Sequence, residues 1–235
     1  MKRPFSSPLL VPRLSSSAGS IAAVERRNAP PGIDPSKRAL DIVGAATLIV
    51  GLLPLLLILA VVLRASSPTI LYRHMRVGQY GRPFACLKLR TMRLDGDGVL
   101  EELLKTDAEA RREWETNQKL RGDPRVTPVG RFLRATSLDE LPQLFNVLRG
   151  DMSLVGPRPV VQRELDEHYG AEGMDLYCSV RPGLTGLWQI SGRSDTSYRQ
   201  RVELDARYVR ERSLSLDVKI LLRTPIAVLR RDGAC

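Results

Sequence analysis

Asp139 and Glu140 stand side by side in SLDELPQLFNVLRGDMSLVGPRP, residues 137–159, and two arginines bracket them. Arg134 precedes the pair, and Arg158 lies in Gly156-Pro157-Arg158-Pro159, a turn held stiff by its prolines. Two carboxylates and two guanidinium groups meet the needs of phosphoryl transfer. One carboxylate serves as nucleophile or metal ligand, and planar cations clamp phosphate oxygens. The same residues also have a local reading. Ser137 with Glu140 spells Ser-x-x-Glu, a capping box, and acidic residues in a first helical turn balance the macrodipole. A carboxylate at such a helix start is kept ionised, as a nucleophile must be. Pro142 disturbs a regular first turn from Ser137, so the cap is imperfect.

Other chemistries find less support. GxGxxG, GxxxxGK[ST] and GxSxG are all missing, which leaves no ground for a Rossmann site, a P-loop or a nucleophile elbow. Cys86, Cys178 and Cys235 are scattered without CxxC spacing, and with only His74 and His168 as partners they build no zinc cage. Free thiols suit a reducing compartment, so the globular part is expected to face the cytosol. The formal net charge of +10 implies an anionic partner: nucleic acid, acidic lipid or a phosphorylated substrate.

The elements that must position these residues begin with a membrane segment. Residues 1–36, rich in Ser, Pro and Arg without apolar periodicity, read as a disordered arm. Residues 37–66 read as a membrane helix, because Ile42 to Leu63 carries no charge and is long enough to cross a bilayer core. An unbroken apolar run of this length is rare in a buried soluble helix. Lys and Arg crowd both flanks, whereas a spanning helix should carry them on its cytoplasmic side only. Both flanks are cytoplasmic if the helix turns back within one leaflet, and Pro54 near its midpoint, with Gly51 close by, favours that bend.

Residues 67–235 then form the cytoplasmic domain. TILYRHM and RPFACLKLRTM, joined at Gln79-Tyr80-Gly81, read as a β-hairpin. Asp95-Gly96-Asp97-Gly98 reads as a turn, and a charged helix is expected from Val99 to about Leu120, burying Leu100, Leu103 and Leu104. Thr127-Pro128 opens a short helix through Arg134. Further helices are expected near Val160–Tyr169 and Tyr198–Arg212. The last, roughly Leu216 to Arg230, suits an interfacial helix on anionic lipid and equally an ordinary core-packed one. The fold is therefore mostly α with a small β-hairpin: a monotopic membrane protein with a re-entrant N-terminal helix and interfacial helices.

Four ordered blocks resemble a known family. KRALDIVGA at 37–45, KLRTM at 88–92, residues 137–159, and RPGLTGLWQISGR at 181–193 look like the bacterial sugar transferases, monotopic polyprenyl-phosphate phosphoglycosyl transferases. Length and C-terminal blocks are similar to those of the exopolysaccharide-initiating galactosyl-1-phosphate transferases. The resemblance implies transfer of a hexose-1-phosphate, galactose or glucose, from a UDP-sugar to undecaprenyl phosphate at the cytoplasmic face of the bacterial inner membrane. It implies that Asp139 forms a phosphosugar intermediate with release of UMP, that Glu140 assists, and that Mg²⁺ binds near Asp139. By the same resemblance, Arg134 and Arg158 bind substrate phosphate.

One departure stands out: the family's bend commonly follows Ser-Pro, whereas Leu53 precedes Pro54 here. Without the serine hydroxyl, carbonyls freed at the bend lose one partner. Lys88 and Arg90 read as solvated strand residues and Trp188 as core or interface, all outside the catalytic set. A basic membrane adaptor would account for charge and anchor but leaves Asp139-Glu140 unexplained. A nucleic-acid partner is disfavoured by the membrane segment and by few aromatics for stacking.

Overall fold

A computed structural model describes residues 34–117, 120, 122–192 and 196–229. The expected N-terminal arm up to residue 33 lies outside them, as does Cys235. The first helix, α1 (Pro35–Ser66), starts two residues before the expected boundary. Asp34 Oδ1 accepts from the Ser36 N–H at 3.0 Å, and Pro35 sits where a helix has no use for an amide proton. Pro54 lies inside α1.

The basic and acidic residues that open α1 tie it to the domain. The Arg38 guanidinium donates to the carbonyls of Val147 and Leu148 at 2.7 and 2.8 Å. Lys37 pairs with Asp217 at 2.8 Å, and the buried Asp41 accepts from Ser153 Oγ and the Leu154 N–H, both at 2.9 Å. Ala45 then enters the main core with Leu144 and Leu154. At the other end Leu59 and Leu63 pack on Leu89 and Leu133. Between these ends the surface is apolar and open, with Val50 72% and Leu57 59% exposed. A helix of 32 residues runs about 48 Å, yet both of its ends return to one globular body. A straight span would carry one end away across the bilayer, so this packing fits a monotopic anchor.

Strands β1 (Leu71–Val77) and β2 (Pro83–Leu89) form the expected antiparallel hairpin, with Leu71 opposite Leu89 and Val77 opposite Pro83. Its turn puts Tyr80 and Gly81 at φ of 61° and 72°. The helix expected over 99–120 is two helices, α2 (Gly96–Thr106) and α3 (Ala108–Asn117). Asp107 divides them: its Oδ1 accepts from the N–H groups of Glu109 and Ala110, starting a second helix. Gly96 to Gly98, expected as a turn, open α2, and Leu100, Leu103 and Leu104 are only half-buried.

Thr127 caps α4 (Pro128–Ala135) as expected, its hydroxyl accepting from the Gly130 N–H at 2.9 Å. Gly130 must be glycine, because a Cβ there would lie 2.0 Å from the Thr91 carbonyl oxygen. That close approach clamps α4 to the chain leaving β2 and so fixes where Arg134 starts.

After a 3-10 turn, Leu138–Glu140, come α5 (Gln143–Arg149), β3 (Ser153–Val155), α6 (Gln162–His168), α7 (Gly170–Cys178), β4 (Gly183–Thr185), α8 (Tyr198–Glu211) and α9 (Leu214–Leu229). β3 and β4 pair in parallel, a second two-stranded sheet beyond the expected hairpin. Leu144, Val147, Met152, Leu154, Tyr208 and Ile220 form the main core around it. α9 is core-packed on one face and carries an exposed apolar row on another. Ile220 is fully buried, while Leu214, Val218, Leu222 and Ile226, spaced by four, form an exposed apolar row.

Candidate active site

Ser137 adopts left-handed backbone, φ 56°, and its side chain caps nothing, so no capping box forms. The chain instead makes a 3-10 turn, Leu138–Glu140, closed by the Glu140 N–H to the Ser137 carbonyl at 3.2 Å. This turn packs against β2 and buries Asp139, which is only 8% exposed. Burial pushes the Asp139 carboxyl up to about 6; the Lys88 and Arg134 charges pull it down, and Glu140 pushes it up. The expectation of a carboxylate kept ionised by a helix start is therefore corrected. Asp139 is held near its titration point by desolvation against cationic neighbours.

Lys88 is the residue that local reasoning misplaced. Its ammonium donates to Glu140 Oε1 at 2.7 Å and lies 3.9 Å from Asp139 Oδ2. It is a partner of the dyad, not a solvated strand residue. The sequence block containing Lys88 was visible, but no local signal showed that the turn folds onto β2.

Arg134 acts on Asp139 from α4 through its charge. Its Nε donates to Thr91 Oγ1 at 2.9 Å, which aligns the guanidinium, and its charge acts on Asp139. Arg158 comes from the Gly-Pro-Arg-Pro turn and joins Lys88, Glu140 and Arg76 in lining a narrow cleft. That cleft holds about 10 Å³, room for one water-sized group. Arg134 does not line it. The cleft thus gathers Glu140 and Arg158 with Lys88, while Asp139, 3.9 Å from Lys88, and Arg134, whose charge acts on Asp139, do not line it.

Trp188 holds Arg158 in place. The Arg158 guanidinium lies 5.3 Å from the indole centroid, and that of Arg201 lies 5.1 Å from the same ring. The indole N–H donates to Thr196 Oγ1 at 2.7 Å. The backbone of Arg158 is hydrogen-bonded to Asp205, whose carboxyl is pushed up to about 6 by burial. Trp188 is core, as expected, and also part of the support for a site residue.

Among the described residues no group of three or more His, Cys, Asp or Glu could hold a metal. Mg²⁺ does not need one, since it commonly takes one or two carboxylates and completes its shell with substrate phosphates and water. Asp139 with Glu140 beside it fits that donor set.

A profile of the bacterial sugar transferases matches residues 33–231. The chain belongs to the bacterial sugar transferase family. Within it, the chain is 52% identical over 198 residues to the UDP-galactose-lipid carrier transferase of Erwinia amylovora, covering 84% of this chain and 41% of that protein. Undecaprenyl-phosphate galactose phosphotransferase of Salmonella typhimurium is 50% identical over 198 residues, again 84% and 41%. Exopolysaccharide production protein ExoY of Rhizobium meliloti is 44% identical over 233 residues, 99% of this chain and 97% of that protein. The chain thus spans about two fifths of the first two sugar transferases and nearly all of the third.

Proposed function

We propose that this sugar transferase moves a hexose-1-phosphate, galactose or glucose, from a UDP-sugar to undecaprenyl phosphate. The reaction would be the first membrane step of exopolysaccharide synthesis, at the cytoplasmic face of the bacterial inner membrane. The observation that carries the reading is the buried Asp139-Glu140 turn, set among Lys88, Arg134 and Arg158 on a body that grips both ends of an apolar helix. The names of the relatives add both substrates: a UDP-sugar donor and an undecaprenyl-phosphate acceptor.

In the first half-reaction an Asp139 carboxylate oxygen attacks the sugar-bearing phosphorus. The bond from that phosphorus to the bridging oxygen breaks, and UMP departs with the electron pair. In the second, an oxygen of the lipid phosphate attacks the same phosphorus and the bond to Asp139 breaks, giving lipid-diphosphate-sugar. Arg158 faces the phosphate oxygens as a planar fork, and Arg134 adds charge near Asp139. Glu140 orients Lys88 and handles protons. Mg²⁺, held near Asp139, supplies further positive charge when bound.

Enzyme given sugar-labelled UDP-galactose or UDP-glucose with Mg²⁺ and no lipid acceptor should retain label covalently, in a bond that hydroxylamine cleaves. Enzyme that turns over without ever holding label would overturn the covalent route. Topology has its own test. Single cysteines at Ser16 and Ser67, in a background without native thiols, should both resist an impermeant reagent applied outside intact cells. Labelling at Ser16 alone would mean a spanning helix.

A further inference from the structure

We propose that a groove at the C-terminal end of α1 admits the lipid acceptor, and that Arg90 binds its phosphate on the way to Asp139. The proposal rests on the transferase reading above. The groove holds about 470 Å³, far more than the cleft beside Arg158, and the two share no lining residue. Its walls include Leu63 and Ser67 from the end of the membrane helix, with Met92, Leu94, Val126 and Arg90. Leu94, at 57% exposed, gives it an apolar rim. An alkyl chain lying against α1 thus meets an apolar entrance with a cation inside.

Arg90 is suited to a dianion. Its Nε is buried without a hydrogen-bond partner among the described residues, while its guanidinium rests 5.8 Å from the centroid of Tyr72. A buried guanidinium N–H left without an acceptor is costly, and a phosphate monoester supplies strong acceptors with a charge near −2. Arg93, also in the groove, is already paired with Asp95 at 2.8 Å, so Arg90 is the cation available.

The path from Arg90 to the reacting carboxylate is short. The Arg90 N–H donates to the Ile70 carbonyl at 2.7 Å, extending the hairpin ladder past β2. Strand alternation then places Lys88 and Arg90 on one face, about 7 Å apart along the chain. Lys88 already touches the dyad. Thr91, the residue after Arg90, carries the hydroxyl that holds Arg134. Arg90 and then Lys88 lead from the membrane helix toward Asp139, so the acceptor's groove opens apart from Arg158 and Lys88 is where the two approaches meet. A ping-pong enzyme gains from two entrances, since the donor's sugar phosphate stays on Asp139 while the acceptor arrives.

The test uses the full chain in detergent with undecaprenyl phosphate, UDP-galactose and UDP-glucose, comparing wild type with Arg90→Met and Arg90→Lys. Arg90→Met should raise the KM for undecaprenyl phosphate about 10- to 100-fold, as loss of a charge-assisted contact implies. The KM for UDP-sugar and the UMP burst without acceptor should not follow it. Arg90→Lys should fall between, keeping charge but losing the fork and the stacking on Tyr72. An unchanged lipid KM in Arg90→Met overturns the proposal. So does loss of the donor-only burst in both variants, which would make Arg90 a structural or donor-side residue. Retention of labelled undecaprenyl phosphate by immobilised protein provides a readout independent of turnover. Weaker retention by Arg90→Met supports the acceptor site even if no UDP-sugar gives UMP, a result that would sink the transferase reading separately. Equal retention sinks the acceptor site alone.

Discussion

Arg158 and Lys88 meet in one cleft with different means of support. Arg158 is fixed by groups outside the reaction: prolines on both sides, the Trp188 ring at 5.3 Å and a backbone hydrogen bond to Asp205. Lys88 is held at its tip by the carboxylates themselves, Glu140 at 2.7 Å and Asp139 at 3.9 Å. A cation placed by its surroundings keeps its position whatever the charge in the cleft, which is what a phosphate clamp requires. A cation placed by the dyad depends on the dyad's protonation and sets it in turn. One side of the cleft is built for a ligand, and the other tunes the Asp139 carboxyl.

Removing the Asp139 carboxylate, the nucleophile of the proposed route, should break the comparison altogether. Asp139→Asn leaves a neutral amide, a poor nucleophile and a weaker metal ligand, so turnover and covalent label should both fall below detection. Because Ser137 does not cap and no capping box forms, the variant cannot be excused as a helix-cap substitution. An active Asp139→Asn enzyme would end the covalent mechanism. Glu140→Gln should damage turnover less completely. The next largest effect should come from Arg158→Lys. An ammonium cannot reproduce the planar fork or its stacking on Trp188, so kcat/KM should drop roughly 10- to 100-fold. Expression and membrane association should hold, and near-normal turnover would demote Arg158 to a structural residue.

What the sequence revealed, and what it hid, follows the range of the interactions. The hairpin, the Thr127-Pro128 start of α4 and the apolar run of α1 are local patterns, and each appears where those patterns put it. Asp139 and Glu140 were visible as chemistry, but their environment was not. Ser137 takes a backbone conformation rare outside glycine, and burial against β2, not a helix start, sets the Asp139 carboxyl. Lys88 was set aside because strand residues 50 positions from the dyad carry no mark of where they fold. β3 and β4, three residues each, are too short for any periodicity and exist through their parallel pairing. The break at Asp107 did have a local sign, an N-cap residue, overridden by the apolar spacing of α2.

Lys88→Met sharpens the comparison through pH. On the proposed covalent route Asp139 must be ionised to attack, and its carboxyl sits near 6 because burial raises it and Lys88 is the foremost cause pulling it down. Below about 6 the acid form dominates and the first half-reaction slows; above it the carboxylate is available. Without Lys88 the raised carboxyl goes higher still, so the rising limb of kcat/KM should move to higher pH. The deficit should be greater at pH 6 than at pH 8. Arg158→Lys should not displace that limb, since Arg158 is not among the leading charges acting on Asp139. A uniform loss in Lys88→Met across the profile would make Lys88 a ligand clamp like Arg158 and erase the distinction between them.

The smallest expected effect lies away from both cations, at the cap that starts α4. Thr127 Oγ1 accepts from the Gly130 N–H at 2.9 Å, and Arg134 rides on the same short helix. Thr127→Ala removes one cap and should cost about 1 kcal/mol, read as a Tm lowered by a few degrees. Gly130 stays locked against the Thr91 carbonyl, and the Arg134 guanidinium keeps its own bond to Thr91 Oγ1. Helix position is thus held twice over, and KM for the UDP-sugar should remain close to wild type. A large KM increase at unchanged Tm would instead show that the cap itself positions Arg134. Arg134 would then depend for its placement on a single contact, unlike Arg158 with its prolines, the Trp188 ring and Asp205.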